Sequence, residues 1–263
     1  MDKGRAPMTL PGKKIKRSLT LIFFGLLIIL SMKYVDFNVL ELFQSIPIFI
    51  SFIFTDFFPP NFSDVADYVK PVIDTLFISV IATCISSFLA MVLAFLMAHN
   101  TTPHPVCRIV ARGIVTFLRS VPFLLWAAVL VVILGVGPLP GMIGLILFGG
   151  AFLARVYAES IEEIGSDSLE ALDAVGATYG QKIKHAILPQ FLPSFFSWTL
   201  FMFEINVRAS AILGIVGAGG VGVLIKESMS LFQYSKASAV ITIMIIMILM
   251  LEFITNRLRR RLI

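Results

Sequence analysis

The sequence predicts an all-α integral membrane protein that crosses the bilayer six times and keeps both termini in the cytoplasm. Of its 263 residues, 58% are hydrophobic and only 14% are charged, whereas about a quarter of the residues in a soluble domain are charged. A soluble fold of this length has too much surface to hide so many apolar side chains. Long runs without Asp, Glu, Lys or Arg, such as residues 75–107, and basic clusters at both ends of the chain complete the pattern.

The positive charge is concentrated in the two tails. Residues 1–17 contain six Lys and Arg against one Asp, and residues 252–263 contain four Arg against one Glu. The segment between them contains 11 basic and 14 acidic residues. Basic segments beside apolar runs stay on the cytoplasmic side of a membrane. A nucleic-acid partner would instead need a basic face on a folded domain, so we expect membrane lipid and no nucleic acid around this chain.

These runs predict the organisation of the chain. We expect a basic cytoplasmic tail at 1–17, a transmembrane anchor at 18–35, an acidic outer segment at 36–68, the core at 69–257 and a second basic cytoplasmic tail at 258–263. The apolar stretch 42–55 inside the outer segment is only 14 residues long, whereas a spanning helix needs about 20. We therefore expect it to lie at the interface or to re-enter the membrane. If it crossed, the side assigned to every later loop would invert.

The core accounts for the other five spans. They are expected at about 69–99, 113–135, 141–163, 185–213 and 237–251. GVGPLPG at 135–141 contains two prolines and three glycines, which end one helix and turn the chain into the next. Small residues in the first core span predict close packing against a neighbouring helix. They are Ala82, Ser86, Ser87 and Ala90.

A polar loop at 164–190 lies between the fourth and fifth spans and is therefore expected in the cytoplasm. It contains EALDAVGATYGQKIKHAILP, with Ser166 and Ser168 as possible helix caps. Gly176 interrupts the helical pattern, and Pro189 marks the turn into the fifth span. The residues predict a short exposed pair of helices between two spans, which is the form of a docking element.

This loop resembles the EAA loop of ABC importer permeases. The matching residues are Glu170, Ala171, Gly176, Leu188 and Pro189, while Leu172 and Ala186 depart from the usual pattern. The resemblance implies a type I permease fold and a coupling helix that seats in the ATPase. It also implies a homodimer with the pathway at its two-fold interface, in the inner membrane of a bacterium. The implied partners are a cytoplasmic ABC ATPase dimer that uses ATP and Mg²⁺ and a periplasmic or lipid-anchored solute-binding protein.

Three further segments are similar to phosphonate-type permeases. They are 119–127, 154–164 and 203–222. This narrower resemblance implies import of a phosphonate or a related phosphorus oxyanion. Two alternatives stay open: an EAA-type permease for another small solute, such as an amino acid, and an ion-coupled secondary transporter. Secondary transporters usually show internal repeats, and no convincing repeat is present here.

Charged residues within the spans are candidates for the substrate pathway. Glu204 and Arg208 stand four residues apart in the fifth span, an order that suits a helical ion pair. A charge within a bilayer costs about 2.5–3.5 kcal/mol on insertion scales, so the pair should face protein or water. It either fixes the helix against a neighbour or lets a partly neutralised Arg208 attract an oxyanion. Arg119 and Arg155 are weaker candidates, because each could be a snorkelling or structural arginine.

The glycine-rich segment GIVGAGGVGVLI at 214–225 contains Gly217, Gly219 and Gly222 in a G-x-G-x-x-G spacing. A dinucleotide site would need a strand before the motif and a βαβ unit around it, whereas a membrane helix precedes it here. We expect these glycines, with Gly220, to line the outer mouth of the pathway. The alternative is a plain tight turn.

No catalytic or metal site is expected in the chain itself. Gly12-Lys13-Lys14 lacks the first glycine and the Ser/Thr of a Walker motif. The three histidines have no metal-ligand spacing. We therefore expect no cofactor on this chain and assign the ATP chemistry to a partner.

Overall fold

The computed structural model describes residues 11–262, apart from the side chains of residues 11–15, 166 and 262. The helices are α1 (Pro11–Tyr34), α2 (Val39–Phe52), α3 (Val65–Met97), α4 (Pro105–Ser120), α5 (Phe123–Leu134), α6 (Pro138–Glu162), α7 (Ser166–Ala174), α8 (Tyr179–Lys182), α9 (Leu188–Ile215), α10 (Val221–Ser230) and α11 (Tyr234–Leu262). A π-helical turn, Ile53–Phe57, follows α2, and another, Ile183–Ile187, joins α8 to α9. No strand occurs within residues 11–262. The predicted all-α fold is confirmed.

The chain divides into two compact units, one ending at Asp56 and the other beginning at Phe57. In the first unit, α1 corresponds to the predicted anchor. The second helix of this unit is longer than predicted: together with its π-helical turn it covers Val39–Phe57, 19 residues. Asn38 starts it by accepting a hydrogen bond from the Leu40 amide at 3.0 Å. The 14-residue stretch 42–55 was too short to cross a membrane, whereas a helix of 19 residues is long enough. Its length therefore no longer argues against a crossing at this position.

The second unit is built around α3, α6 and α9. Ala82, Ser86 and Ala90 on α3 are fully buried, as predicted from their size. Gly149 on α6 lies so close to Ser86 that an added Cβ would stand 3.3 Å from its Oγ. Asn206 on α9 donates a hydrogen bond of 2.8 Å to Thr83 on α3. Small residues and polar cross-links thus hold these helices together where lipid offers no hydrophobic drive.

The third predicted span, 113–135, is not one continuous helix. The chain bends by 84° between α4 and α5. Val121, the residue between α4 and Pro122, is extended with φ −99° and ψ 122°, which is the conformation that a following proline favours. The residues of the third predicted span therefore form two helices, because Pro122 ends α4 instead of being accommodated within it.

The described residues contain six helices that are long and apolar enough to cross a membrane, and the bent α4–α5 pair would make a seventh. Five of the six correspond to predicted spans, and the other is Val39–Phe57. The predicted tail 258–263 is not a separate segment, since residues 258–262 continue α11. Residues 1–10 of the predicted N-terminal tail, together with residue 263, lie outside the described part of the chain.

Candidate functional site

The polar loop 164–190 is an ordered element whose shape is set by a helix C-cap. Gly176 follows α7 with φ +75°, a left-handed conformation that glycine adopts without strain. Its amide donates to the Asp173 carbonyl at 3.0 Å, and the Ala177 amide donates to the Leu172 carbonyl at 2.9 Å. This pair of bonds is a Schellman motif. Gly176 therefore ends α7 and turns the chain towards α8.

The rest of the loop is anchored to the membrane helices. Thr178 and Gln181 form a capping box at the start of α8. Lys182 forms an ion pair with Asp173 across the turn. The Tyr179 hydroxyl donates to the Thr101 carbonyl, in the loop that follows α3. The first two contacts hold the loop in shape, and the bond from Tyr179 ties it to the end of α3, so that a displacement of the loop would be passed on there.

The outer surface of this loop is exposed and partly apolar. Val175 stands at its tip with 79% of its surface exposed. Of the residues predicted for docking, Glu170, Ala171 and Gly176 are exposed on the same short segment. At the other end of the loop Pro189 is exposed and Leu188 is half-buried. An exposed apolar tip held on a fixed backbone is suited to bind another protein.

The ion pair predicted within the fifth span has a different main partner. Glu204 is 9% exposed, and its Oε1 accepts hydrogen bonds from Thr255 Oγ1 at 2.5 Å and from Arg259 Nη2 at 3.1 Å. Arg208 Nη2 lies 3.9 Å from Glu204 and 3.5 Å from Glu252. The predicted i, i+4 contact is therefore present but is the longest of the set. We call Glu204, Arg208, Glu252, Thr255 and Arg259 the α9–α11 charge cluster.

Arg208 differs from the other members of this cluster in its exposure. Half of its side-chain surface is accessible, although it lies within a helix expected to cross the membrane. The exposed apolar residues Phe201, Ile212 and Ile215 follow the same helix face. A cation within an otherwise apolar exposed face needs water or another protein chain beside it. Sequence reasoning missed both Thr255 and Arg259. Arg259 had been counted as a charge of the C-terminal tail, and Thr255 meets Glu204 only because α11 packs against α9.

Arg119 and Arg155 are brought together at one cavity, between the ends of α3, α4 and α6. The cavity measures about 260 Å³, and its lining includes Arg112 as a third arginine. Arg155 Nε forms an ion pair with Glu159 at 2.7 Å. Arg112 forms one with Glu162, also at 2.7 Å. The spacing of the sequence did not reveal Arg112, because α4 and α6 meet only through tertiary packing.

The glycine-rich segment is more than a tight turn. Gly217, Gly219 and Gly220 have φ of +87°, +82° and +73°, which turn the chain from α9 into the short helix α10. The Val221 amide at the start of α10 donates to Thr75 Oγ1 at 2.8 Å. An added Cβ on Gly222 would overlap the carbonyl oxygen of Ala211. These glycines therefore form a turn that leads directly into a packed helix, α10, which the sequence analysis did not predict.

Several known proteins are similar to this chain in sequence. The profile described as "Binding-protein-dependent transport system inner membrane component" matches residues 90–263. The chain is 37% identical over 202 residues to the phosphite transport system permease protein PtxC of Stutzerimonas stutzeri, covering 77% of this chain and 74% of that protein. It is 35% identical to the phosphate-import permease protein PhnE of Mycolicibacterium smegmatis, covering 77% of this chain but only 38% of that longer protein.

Solved structures share the fold. A chain of the MetNI methionine ABC transporter in an inward-facing conformation has a TM-score of 0.65 and 23% identity, covering 74% of this chain and 95% of that chain. A bacterial ABC transporter involved in the import of alginate has a TM-score of 0.65 and 17% identity, covering 95% of this chain and 98% of that chain. At these identities the likeness concerns the backbone fold.

Proposed function

This chain belongs to the family of binding-protein-dependent transport system inner membrane components, and from that premise we propose that it carries a small phosphorus oxyanion into the cytoplasm. It is a multi-pass permease subunit of an ABC importer in the inner membrane of a bacterium. The predicted permease fold is confirmed by the ABC transporters whose chains it resembles. The substrate follows from relatives named for phosphite and phosphate transport and from the arginine exposed within the fifth span.

The loop 164–190 is the proposed contact with the ATPase. Its exposed tip at Val175 and Gly176 would enter a cleft of a cytoplasmic ATPase dimer, and Glu170 and Ala171 would flank that contact. The bond from Tyr179 to the Thr101 carbonyl supports the transfer of movement from the loop to α3 and α4. ATP and Mg²⁺ would bind to the ATPase alone. This chain would act without a catalytic site, cofactor or metal of its own.

Two further partners belong to the same proposal. A periplasmic or lipid-anchored solute-binding protein would deliver the substrate, consistent with the description of the family. A second copy of this chain would complete the pathway along the exposed face of α9. Placing Arg208 at that interface would provide the water or protein contact that a half-exposed cation in a membrane requires.

Within this pathway, Arg208 would attract the oxyanion, and the carboxylates of Glu252 and Glu204 would weaken its hold. Partial neutralisation suits transport, because an anion that binds too tightly is not released. The glycines at 217, 219, 220 and 222 would line the outer mouth, where irregular backbone is tolerated beside a water-filled cavity. The exposure of Arg208 within an apolar helix face is the observation that carries this substrate assignment.

The test is a competition series on the complex of permease, ATPase and solute-binding protein in lipid nanodiscs. Phosphite, methylphosphonate, orthophosphate and L-methionine are compared for their stimulation of ATP hydrolysis. We expect a phosphorus oxyanion to stimulate and methionine to have no effect. Stimulation by methionine alone would replace the oxyanion by an amino acid as the substrate. Solute uptake that persists without the ATPase subunit would refute the ATP-driven mechanism.

A further inference from the structure

We propose that the cavity between α3, α4 and α6 is a second oxyanion site, distinct from Arg208, through which free oxyanion on the coupling-loop side slows the transport cycle. Its ligand is a small tetrahedral phosphorus oxyanion. The inhibitory role rests on the proposed function, whereas binding of the anion to the cavity does not. The cavity includes Glu162, the last residue of α6, two positions before the loop 164–190 begins.

The charges of the cavity favour an anion. Three arginines line it, Arg112, Arg119 and Arg155, against the two carboxylates Glu159 and Glu162. The cavity therefore carries one excess positive charge from these five groups. Guanidinium groups suit tetrahedral oxyanions because their fixed pairs of N–H donors match two oxygens at once. The two carboxylates keep the affinity moderate, as a site that must release its ligand requires.

Arg119 is the arginine with free donors. Arg112 donates to Glu162 Oε1 at 2.7 Å and to the Met97 carbonyl at 3.3 Å. Arg155 donates from Nε to Glu159 Oε1 at 2.7 Å. Arg119 is half-buried and makes no hydrogen bond or ion pair with another described side chain. A guanidinium carries five N–H donors, so an anion here would satisfy a group that the protein leaves open.

The space is large enough for a hydrated oxyanion. A water molecule occupies about 30 Å³ of liquid, so about 260 Å³ holds several waters or one tetrahedral ion with part of its hydration shell. A snorkelling arginine would extend away from the protein into the headgroups. Arg119 instead lines a partly enclosed space that Arg112 and Arg155 also line. These features distinguish the cavity from two unrelated interfacial charges.

The cavity lies beside two elements that should move during transport, the bend between α4 and α5 and the loop 164–190. Arg119 lies in the last turn of α4, three residues before Pro122, where the chain bends by 84° into α5. Arg155 lies on α6, which leads into the loop 164–190. An anion held between Arg119 and Arg155 would link α4 to α6 and stiffen the bend. A high concentration of free oxyanion at this end would therefore slow the rearrangement that transport requires.

Binding is tested first, on the permease–ATPase complex in nanodiscs without solute-binding protein. The probe is radiolabelled orthophosphate, and the variants are Arg119→Gln and Arg119→Lys. Arg257→Gln is the control, because Arg257 is an exposed arginine on α11 and lies outside the lining of the cavity. We expect Arg119→Gln to weaken binding about tenfold, as loss of a charge-assisted hydrogen bond does, and Arg119→Lys to restore part of it. Equal affinity in Arg119→Gln and Arg257→Gln overturns the site.

Inhibition is tested in proteoliposomes whose ATPase side faces the external buffer, with solute-binding protein and methylphosphonate enclosed. External orthophosphate is raised, and each variant is scored against its own uninhibited rate of ATP hydrolysis. We expect half-inhibition of Arg119→Gln to need about tenfold more phosphate than the wild type. Inhibition that is absent in the wild type, or unchanged in Arg119→Gln, overturns the inhibitory role. Failure of the substrate assignment leaves the binding measurement intact, so the two proposals are judged separately.

The phosphate of an anionic lipid headgroup has similar chemistry, and the composition of the bilayer distinguishes it from a free oxyanion. Both measurements are repeated in phosphatidylcholine alone and in phosphatidylcholine with phosphatidylglycerol. Orthophosphate binding through Arg119 in both bilayers supports the free oxyanion. If orthophosphate fails to bind and phosphatidylglycerol changes the ATPase rate only when Arg119 is intact, the cavity holds a lipid headgroup and the proposal is overturned.

Discussion

Glu204 and Arg259 are separated by 55 positions in the sequence, yet Glu204 Oε1 and Arg259 Nη2 meet at 3.1 Å between α9 and α11. The glutamate is 9% exposed, and Thr255 donates a second hydrogen bond to the same oxygen. A buried carboxylate needs a partner of this kind, because isolated charges are costly in a low-dielectric environment. The pair therefore fixes α11 to α9, the helix of the fifth predicted span.

The first prediction concerns Arg259→Gln. Removing this cation leaves the buried Glu204 with only the 3.9 Å charged contact to Arg208, and breaking a fully buried pair costs about 3–5 kcal/mol in soluble proteins. We expect a clear loss of thermal stability in the detergent-purified subunit, measured by its unfolding midpoint. The double variant Glu204→Gln with Arg259→Gln should recover much of the loss, because both charges are then gone. A single variant as stable as the wild type would show that the pair is not structural.

Arg208→Gln should impair transport and leave the stability of the protein nearly unchanged. Arg208 is half-exposed, and its contacts to Glu252 and Glu204 are 3.5 Å and 3.9 Å long, so its ion pairs contribute little to stability. We expect the amount of protein in the membrane to stay within about twofold, whereas oxyanion uptake falls about tenfold through loss of a charged donor. Arg257→Gln, an exposed arginine on α11, is the control for a general charge effect. Equal losses of abundance and uptake would return Arg208 to a structural role.

Much of the fold was readable because a bilayer imposes helix length and excludes charge. These constraints located α3, α6 and α9 to within about four residues at either end, whereas α1 begins before its expected span and α11 continues well beyond its own. The bend at Pro122 was not predicted, because a proline in an apolar run permits either a kinked helix or a broken one. The contacts of the packed helices decide between them, and no local pattern encodes those contacts.

Among the candidate residues, contacts within one helix could be predicted from the sequence, whereas contacts between helices could not. The i, i+4 spacing correctly placed Arg208 near Glu204, since that relationship is local to one helix. The partnership of Glu204 with Thr255 and Arg259, and that of Arg119 with Arg112 and Arg155, depend on which helices pack together. The loop 164–190 was identified from a motif, and its local turn at Gly176 followed from glycine chemistry. The hydrogen bond from Tyr179 to the Thr101 carbonyl could not be predicted from the sequence, because it joins segments that are far apart in the chain.

The tip of the loop 164–190 should be needed for docking and not for folding. Val175→Asp places a charge on an apolar side chain that is 79% exposed, so little internal packing is lost. Gly176→Trp adds bulk at a residue with φ +75° and open space around its Cα. Both variants should insert normally and fail to retain the ATPase in a co-purification. Gly176→Ala carries the backbone strain, about 1–2 kcal/mol, without the bulk, and should retain it. Normal ATPase retention by Gly176→Trp would contradict the docking role.

The close approach of α9 and α10 predicts an unusual sensitivity at Gly222. A Cβ at this position would overlap the Ala211 carbonyl oxygen, and overpacking of this kind costs about 1–3 kcal/mol or more. Gly222→Ala should therefore lower the unfolding midpoint of the purified subunit. Gly113→Ala is the matched control, since nothing lies within 4 Å of its added Cβ and alanine favours a helix. Equal midpoints for the two variants would show that α10 does not pack against α9 in the membrane.

The orientation of the chain is tested by cysteine labelling, and α2 makes the test informative. Three single-cysteine variants, Asp36→Cys, Ser63→Cys and Lys184→Cys, are made in a background where Cys84 and Cys107 are replaced by alanine. The basic tails predict a cytoplasmic N-terminus, so α1 should deliver Asp36 to the outside. The proposed docking of the loop 164–190 to the ATPase requires this loop in the cytoplasm, so Lys184 should be on the inside.

Together with the labelling of Ser63→Cys, these two assignments test whether α2 crosses the membrane. If α2 lies along the interface, an impermeant maleimide should label Asp36→Cys and Ser63→Cys in intact cells and should reach Lys184→Cys only in inverted vesicles. If α2 crosses, Asp36 and Ser63 must lie on opposite sides, although its 19 residues are long enough for either arrangement. We expect the interfacial pattern, because α3 has to begin outside for α6 to end at the cytoplasmic loop when the bent α4–α5 pair crosses as one span. Labelling of Lys184→Cys in intact cells would place the loop away from any cytoplasmic ATPase and would contradict the transport mechanism as a whole.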